Sequence, residues 1–168
     1  MDNTAIYPGS FDPITNGHID ILKRSLKIFD KIIILLAKNT QKKTLFDLKE
    51  RIEQLNKVIQ AEKMTDKVIV ESFDGLLADY CMKKKIYILI RGLRPLADFE
   101  YEFEMAMANR GMFKELETIF IVTDQKYFYL RSSLIKDLAL MGGDISDKVP
   151  DIIKEDIVNK IKLWYLNN

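Results

Sequence analysis

The segment Gly9-Ser10-Phe11-Asp12-Pro13-Ile14-Thr15-Asn16-Gly17-His18 carries the only histidine of the chain, together with two of its seven glycines and a hydroxyl at Ser10. That combination suits a bound phosphate. Gly9 permits a tight turn and close approach of backbone to a ligand, Gly17 opens a segment of helical period, and a helix N-terminus carries about half a positive charge. An imidazole in the first helical turn adds one hydrogen-bond donor even when neutral. A single histidine is often only a helix cap or a packed group. This one follows a first apolar run and a glycine-containing loop, where a phosphate binds in open parallel sheets. The loop has neither the Gly-Lys-Ser/Thr ending of a Walker motif nor three spaced glycines, which excludes the ordinary P-loop and dinucleotide fingerprints.

Other cations and hydroxyls recur after later apolar runs: Lys42, Lys43, Arg91, Arg94 and the pair Ser132-Ser133. Each has an ordinary reading as well. The lysines could be solvated loop charges, Arg91 and Arg94 could pair with Asp98 or Glu100, and Ser133 could cap a helix. Their joint placement decides between the two.

The elements that must place them are legible from periodicity. Residues 4–7, 31–37, 67–70, 86–90 and 118–123 form continuous apolar runs, the pattern of strands buried on both faces. Between them Ile19, Leu22, Leu26 and Phe29, and then Leu48, Ile52, Leu55 and Ile59, recur at helical spacing. Asp47 with Glu50 reads as a capping box. Further helices are predicted over 75–83, 98–113, 132–141 and 150–164. Five strand-helix units and a terminal helix predict an α/β fold, a Rossmann-like doubly wound five-stranded parallel sheet with helices on both faces. Ligands then sit at the C-terminal ends of the strands, which selects loops 8–16, 38–46, 72–74, 91–97 and 124–130.

Residues 99–108, Phe-Glu-Tyr-Glu-Phe-Glu-Met-Ala-Met-Ala, alternate as a strand would. A helix is still expected, because Glu, Met and Ala are good helix formers and the segment exceeds the usual strand length. Such a helix has two apolar stripes, Phe99, Phe103 and Met107 on one side and Tyr101 and Met105 on another. It calls for deep burial or for a second subunit.

The chain of 168 residues suffices for one domain, residues 1–168. Twenty-six Lys and Arg against twenty-five Asp and Glu leave a net charge of +1, so overall charge does not favour nucleic acid. The longest apolar run, 32–37, is far too short to span a membrane. One cysteine and no visible leader predict a reducing, cytoplasmic setting. Cys81, Lys83 to Lys85 and Trp164, which continues the Ile153, Ile157, Ile161 stripe, are assigned to packing or solvated surface.

The segment Y-P-G-S-F-D-P-I-T-N-G-H-I-D resembles the signature of the nucleotidyltransferase α/β-phosphodiesterase superfamily, whose loop ends in His-x-Gly-His or Thr-x-Gly-His, here Thr15 to His18. Over nearly its full length the chain is similar to the bacterial phosphopantetheine adenylyltransferase family. K-K-T-L-F at 42–46, I-R-G-L-R-P-L-A-D-F-E-Y-E at 90–102 and S-S-L-I-K at 132–136 carry that likeness. The resemblance implies transfer of the adenylyl group of ATP to 4′-phosphopantetheine, giving dephospho-coenzyme A and pyrophosphate by direct in-line attack, with Mg2+ accompanying ATP. It implies that His18 stabilises the transition state, while Ser10 and Phe11 meet ATP phosphate through their backbone. Gly92, Leu93, Arg94 and Glu102, and the run Tyr127, Phe128, Tyr129, Leu130, Arg131, Ser132 and Ser133, would complete the ATP site. The Ser10 hydroxyl, Lys42, Leu77 and Arg91 would hold phosphopantetheine. No metal ligands of the protein, no nucleic acid and no membrane are implied, and the assembly would be a homohexamer. Ser10 stands where many members have threonine, and Arg131 where many have a serine. That arginine would reach the leaving pyrophosphate or point to solvent.

Overall fold

Every continuous apolar run becomes a parallel strand in the computed structural model, which describes residues 3–37, 44–93 and 96–166. The strands are β1 (Thr4–Gly9), β2 (Lys31–Ala37), β3 (Val68–Phe73), β4 (Ile88–Leu93) and β5 (Glu117–Val122). They form one sheet in the order β3-β2-β1-β4-β5, and every adjacent pair is parallel. Among the described residues four α-helices connect them, α1 (Asn16–Ser25), α2 (Leu48–Ala61), α3 (Leu77–Lys84) and α4 (Leu96–Met112), and two more follow β5, α5 (Ser132–Leu140) and α6 (Asp151–Leu166). The expected doubly wound α/β fold is present.

Side-chain alternation divides the strands between two cores. Ala5, Tyr7, Ile32, Ile34, Leu36 and Ile90 pack with residues of α1, α2, α5 and α6 on one face. Ile6, Ile33, Leu35 and Leu89 pack with Tyr80 and Cys81 of α3 and with Leu116 on the other. Cys81 is fully buried, and burial pushes its thiol up to about 12. It is a packing residue, as expected.

Three strands run beyond their apolar stretch. Pro8 and Gly9 pair with Leu35 and Leu36, and Arg91, Gly92 and Leu93 pair with Phe120, Ile121 and Val122. A ladder continues wherever a neighbouring backbone offers partners, whatever the side chains. Arg91 to Leu93 therefore stand on a strand rather than in the expected loop. α1 ends at Ser25, short of Leu26 and Phe29. Phe29 is buried all the same, because its amide bonds back to the Ser25 carbonyl at 2.9 Å.

The helix over 98–113 is confirmed against its alternating pattern, as α4. Its apolar side chains are not deeply buried within the chain: Phe99, Phe103 and Met107 are all exposed. Among the described residues no helix is long and apolar enough to cross a membrane.

α2 opens on the expected capping box, with the Glu50 amide donating to Asp47 Oδ1 and the Asp47 amide donating to Glu50 Oε2, both at 2.8 Å. Replacing Asp47 by Ala should lower stability by about 1 kcal/mol, the usual value of an N-cap. Urea unfolding checks this, and an unchanged midpoint would contradict it.

Candidate active site

Neighbouring strands β1 and β4 lead to helices on opposite faces of the sheet, which opens a crevice at their C-terminal ends. A cleft of about 660 Å³ lies there. The first loop forms its floor, and the shape of that loop is tightly determined. Phe11 has φ +45°, a left-handed conformation that costs a bulky residue roughly 1–3 kcal/mol and persists only where its surroundings impose it. Its ring is buried edge-on against Tyr7 at 5.3 Å and His18 at 5.2 Å. A Cβ at Gly9 would lie 2.8 Å from that ring, so glycine is required for the ring to sit there.

His18 caps the helix and lines the cleft at the same time. The Thr15 amide donates to its Nδ1 at 3.0 Å, and the Thr15 hydroxyl stands 2.9 Å from the same nitrogen. With Nδ1 accepting, the neutral ring carries its proton on Nε2. The helix-start amides are less available than the sequence suggests. The Asn16 amide donates to the Lys148 carbonyl at 2.9 Å, and the His18 amide to the Thr15 hydroxyl at 3.4 Å. Anion capacity shifts accordingly toward the imidazole and the cationic side chains.

Asp12, only 3% exposed, ties three elements together. Its Oδ2 accepts from the Leu45 amide and from Lys136 Nζ, and its Oδ1 accepts from the Phe46 amide, each at 3.0 Å. Arg51, also buried, donates to the Ser10 carbonyl at 2.9 Å. The first loop is thereby clamped from α2 and from α5.

On β4, alternation turns Arg91 toward α4. There its Nε and Nη2 donate to the two oxygens of Glu102 at 2.6 and 2.5 Å, while Nη1 donates to the Pro8 carbonyl at 3.0 Å. Burial alone would lower the guanidinium pKa, but the Glu102 bonds and charge outweigh it and hold it above its ordinary value. Pairing with Asp98 or Glu100 was the ordinary alternative that the sequence offered for this arginine; the acidic residue that meets it is Glu102. Gly92 turns the other way, where a Cβ would lie 3.1 Å from Ile21 of α1. The cleft thus has two halves. The α1 side is lined by Asp12, His18, Ile21, Thr123, Leu130, Arg131, Ser132, Ser133 and Lys136, with several hydroxyls, Arg131 and the Lys136–Asp12 pair. The α4 side is lined by Leu77, Leu89, Tyr101, Met105 and Asn109, mostly apolar, with the Arg91–Glu102 pair near the strand end. The two halves meet at Ser10 and His18.

Comparison with known proteins bears on what such a cleft holds. Residues 6–138 match the Cytidylyltransferase-like family. Phosphopantetheine adenylyltransferase of Dictyoglomus turgidum is 47% identical over 159 residues, 95% of this chain and 98% of that protein. The enzyme of the same name from Caldanaerobacter subterraneus subsp. tengcongensis is 49% identical over 158 residues, covering 94% of this chain and 97% of that one. The chain belongs to the phosphopantetheine adenylyltransferase family. A solved nicotinic acid mononucleotide adenylyltransferase of Plasmodium falciparum shares the fold, with a TM-score of 0.67 at 16% identity over 99% of this chain and 97% of that one.

Of the residues that the family motifs single out, Ser10, Phe11, His18, Leu77, Arg91 and Gly92 line this one cleft. So do Glu102, Tyr127, Leu130, Arg131, Ser132 and Ser133. Leu93, Phe128 and Tyr129 are not among the lining residues; the last two are exposed and pack edge-on against each other at 5.7 Å. Lys42 and Arg94 lie outside the described residues. Arg131 is exposed and also borders the cleft.

Several cleft residues escaped sequence reasoning. Asp12 carried a signal, a lone carboxylate between Phe11 and Pro13 in a loop with little reason to be buried. Lys136 ends the serine motif one helical turn after Ser132. Met105 and Asn109 stand three and seven residues after Glu102, which the family motifs had singled out, so the Tyr101 and Met105 stripe of α4 borders the cleft rather than a deep core. Thr123 gave no signal. Its Oγ1 and that of no other described cleft side chain is buried without a hydrogen-bond partner.

Replacing Asp12 by Ala would leave Lys136 and two amides without their acceptor. We expect a loss of about 3–5 kcal/mol in urea unfolding, the scale for breaking a buried charge pair from one side. A loss below about 1 kcal/mol, the scale of an exposed pair, would contradict the role given to Asp12.

Proposed function

We propose that the chain transfers the adenylyl group of ATP to 4′-phosphopantetheine, releasing pyrophosphate and forming dephospho-coenzyme A. The observation that carries this reading is the two-sided cleft: a polar, cationic half and a mostly apolar half that meet at His18. A triphosphate suits the first half, where Ser132 and Ser133 open α5 and the amides of its first turn favour anions. Arg131 adds charge there, and Lys136 balances the Asp12 carboxylate. An extended, largely apolar arm ending in phosphate suits the second, with Leu77 and Met105 along the arm and Arg91, the Ser10 hydroxyl and Lys42 at its phosphate. Gly92, Leu93, Arg94 and the run 127–130 are assigned to the nucleotide.

An ionised oxygen of the acceptor phosphate attacks the α-phosphorus of ATP. A new P–O–P bridge forms, the bond from the α-phosphorus to the bridging oxygen breaks, and pyrophosphate leaves with the electron pair. The acceptor is already ionised near neutral pH, so no protein nucleophile and no general base are needed. The task is positioning and stabilisation of charge. His18 Nε2 donates to a non-bridging α-phosphoryl oxygen as its charge grows, and the Thr15 bonds to Nδ1 hold the ring for that purpose.

Mg2+ enters with ATP as part of the substrate. Among the described residues no three His, Cys, Asp or Glu side chains stand close enough to hold a metal ion. The two cleft carboxylates, Asp12 and Glu102, are each engaged by a cation. The chain works in the cytoplasm as a homohexamer, and the exposed Phe99, Phe103 and Met107 stripe of α4 supports an assembly in which other copies cover it.

Pyrophosphate release with ATP and either 4′-phosphopantetheine or nicotinamide mononucleotide tests the assignment. Turnover with the first and not the second is expected, and the reverse would overturn it. For His18→Ala, kcat should fall about 10²–10³-fold, as for loss of one transition-state donor. Stability should fall by only about 1 kcal/mol through loss of the cap, as circular dichroism melting would show. Turnover near wild type would remove His18 from the mechanism.

A further inference from the structure

Asp20 closes the motif of residues 7–20 and stands on α1 two positions after His18, yet it is not among the residues that line the cleft. We propose that Asp20 is a positioning residue for the nucleotide, acting through the backbone at Asp124, where the run 124–130 leaves β5. The inference rests on the assignment of residues 127–133 to ATP and deepens it.

That run has little of its own to hold it. Gln125, Lys126, Phe128 and Tyr129 are exposed, Tyr127 is half-buried, and Leu130 alone of the seven is buried. The Tyr127 amide donates to the Asp124 carbonyl and the Leu130 amide to the Tyr127 carbonyl, both at 2.9 Å. These turn bonds fold the run on itself without tying it to the sheet. A segment with few buried contacts opens easily unless it is anchored from outside.

The anchors are at its two ends. The Asp124 amide donates to Asp20 Oδ2 at 3.0 Å, and the Ser132 hydroxyl donates to the Pro13 carbonyl at 2.8 Å. Both acceptors belong to the unit that carries His18, the first loop and α1. Between the anchors the run lies along the first turn of that helix. A Cβ at Gly17 would stand 3.5 Å from Tyr127 Cβ and 3.7 Å from Leu130 Cβ. Tyr127, Leu130 and the imidazole are thereby fixed to one body.

Of the contacts around Asp124, the one to Asp20 carries most. It is a backbone N–H given to a carboxylate, a charge-assisted bond, and the Asp20 side chain is only 18% exposed. Arg24 Nε also donates to Asp20, at 3.1 Å, and Arg24 Nη2 to Asp124 Oδ2 at 3.3 Å. The Arg24 and Asp124 side chains are 41% and 44% exposed, so that bridge contributes little. Because Asp20 takes a main-chain donor, it fixes the path of the chain rather than one side chain. The run meets ATP with its ordering entropy already lost on folding. His18 does not depend on Asp20, since Thr15 holds its ring at Nδ1. Asp20 therefore governs ATP binding more than the chemical step, and leaves the α4 side of the cleft untouched.

The test is steady-state kinetics on the full chain with each substrate varied in turn, together with hydrogen exchange of the amides of 125–130. In Asp20→Ala the ATP KM should rise about tenfold or more, the scale of a lost charged hydrogen bond. The acceptor KM should stay within about twofold, as for an uncoupled site, and kcat within about threefold. The amides of 125–130 should exchange faster, and those of α4 at the wild-type rate. Asp20→Asn keeps the shape and an acceptor oxygen but loses the charge, so its ATP KM should rise about fivefold, the difference between a charged and a neutral hydrogen bond. If the Ala variant does not fold, the Asn variant decides by the same split between substrates. Arg24→Ala should change the ATP KM by no more than about twofold, the scale of an exposed i, i+4 pair. An unchanged ATP KM in the Asp20 variants overturns the proposal. So does an equal rise in both KM values, the mark of a general loss of structure, or an effect of Arg24→Ala as large as that of Asp20→Ala. Failure of the broader assignment shows separately, as a wild-type chain that releases no pyrophosphate with ATP and 4′-phosphopantetheine while exchange at 125–130 still responds to Asp20→Ala.

Discussion

Two adjacent parallel strands, β1 and β4, lead into helices on opposite faces of one sheet, and the site depends on that divergence. The order β3-β2-β1-β4-β5 makes it unavoidable, since right-handed connections running outward in both directions from the centre must place their helices on different sides. The crevice between them is therefore two-faced. Whatever binds on the α1 side meets cations and hydroxyls; whatever binds on the α4 side meets leucine, methionine and an arginine at the mouth.

A reaction that joins two substrates without a covalent enzyme intermediate has to hold both at once with their reacting atoms in contact. A two-faced crevice does this by geometry. The first loop is the part that must not move, and its rigidity has identifiable sources: the Phe11 ring against Gly9, the Asp12 carboxylate bridging to residues 45, 46 and 136, and Arg51 on the Ser10 carbonyl. His18 inherits that rigidity through Thr15. Capping the helix and lining the cleft are compatible here, since Nδ1 takes the Thr15 contacts while the ring stands at the cleft wall.

Much of this is legible in the sequence, and the exceptions have physical reasons. Continuous apolar runs marked the strands because both faces of the sheet are covered. They did not mark the strand ends, since backbone pairing carries β4 through Arg91, Gly92 and Leu93 after the apolar pattern stops. The Asp47 and Glu50 capping box was legible because it is local. Asp12 was not, because its partners are 33, 34 and 124 residues away. Arg91 was singled out correctly as a cleft residue, but its partner depended on which turn of α4 faces β4, and three acidic residues within five positions left that open. The α4 stripes were visible as stripes, yet only the fold shows that Tyr101 and Met105 border the cleft and that both stripes are exposed within the chain.

Transfer in a single displacement between two substrates held face to face is the central requirement of the proposed function. Stereochemistry at phosphorus reads this without reference to any mutant. With a single diastereomer of ATP carrying sulfur on the α-phosphate as donor and 4′-phosphopantetheine as acceptor, the configuration at that phosphorus in the product can be assigned by 31P NMR. Inversion is the predicted result, from one in-line attack across the cleft. Retention would require an adenylylated protein group between two displacements, and would contradict the account.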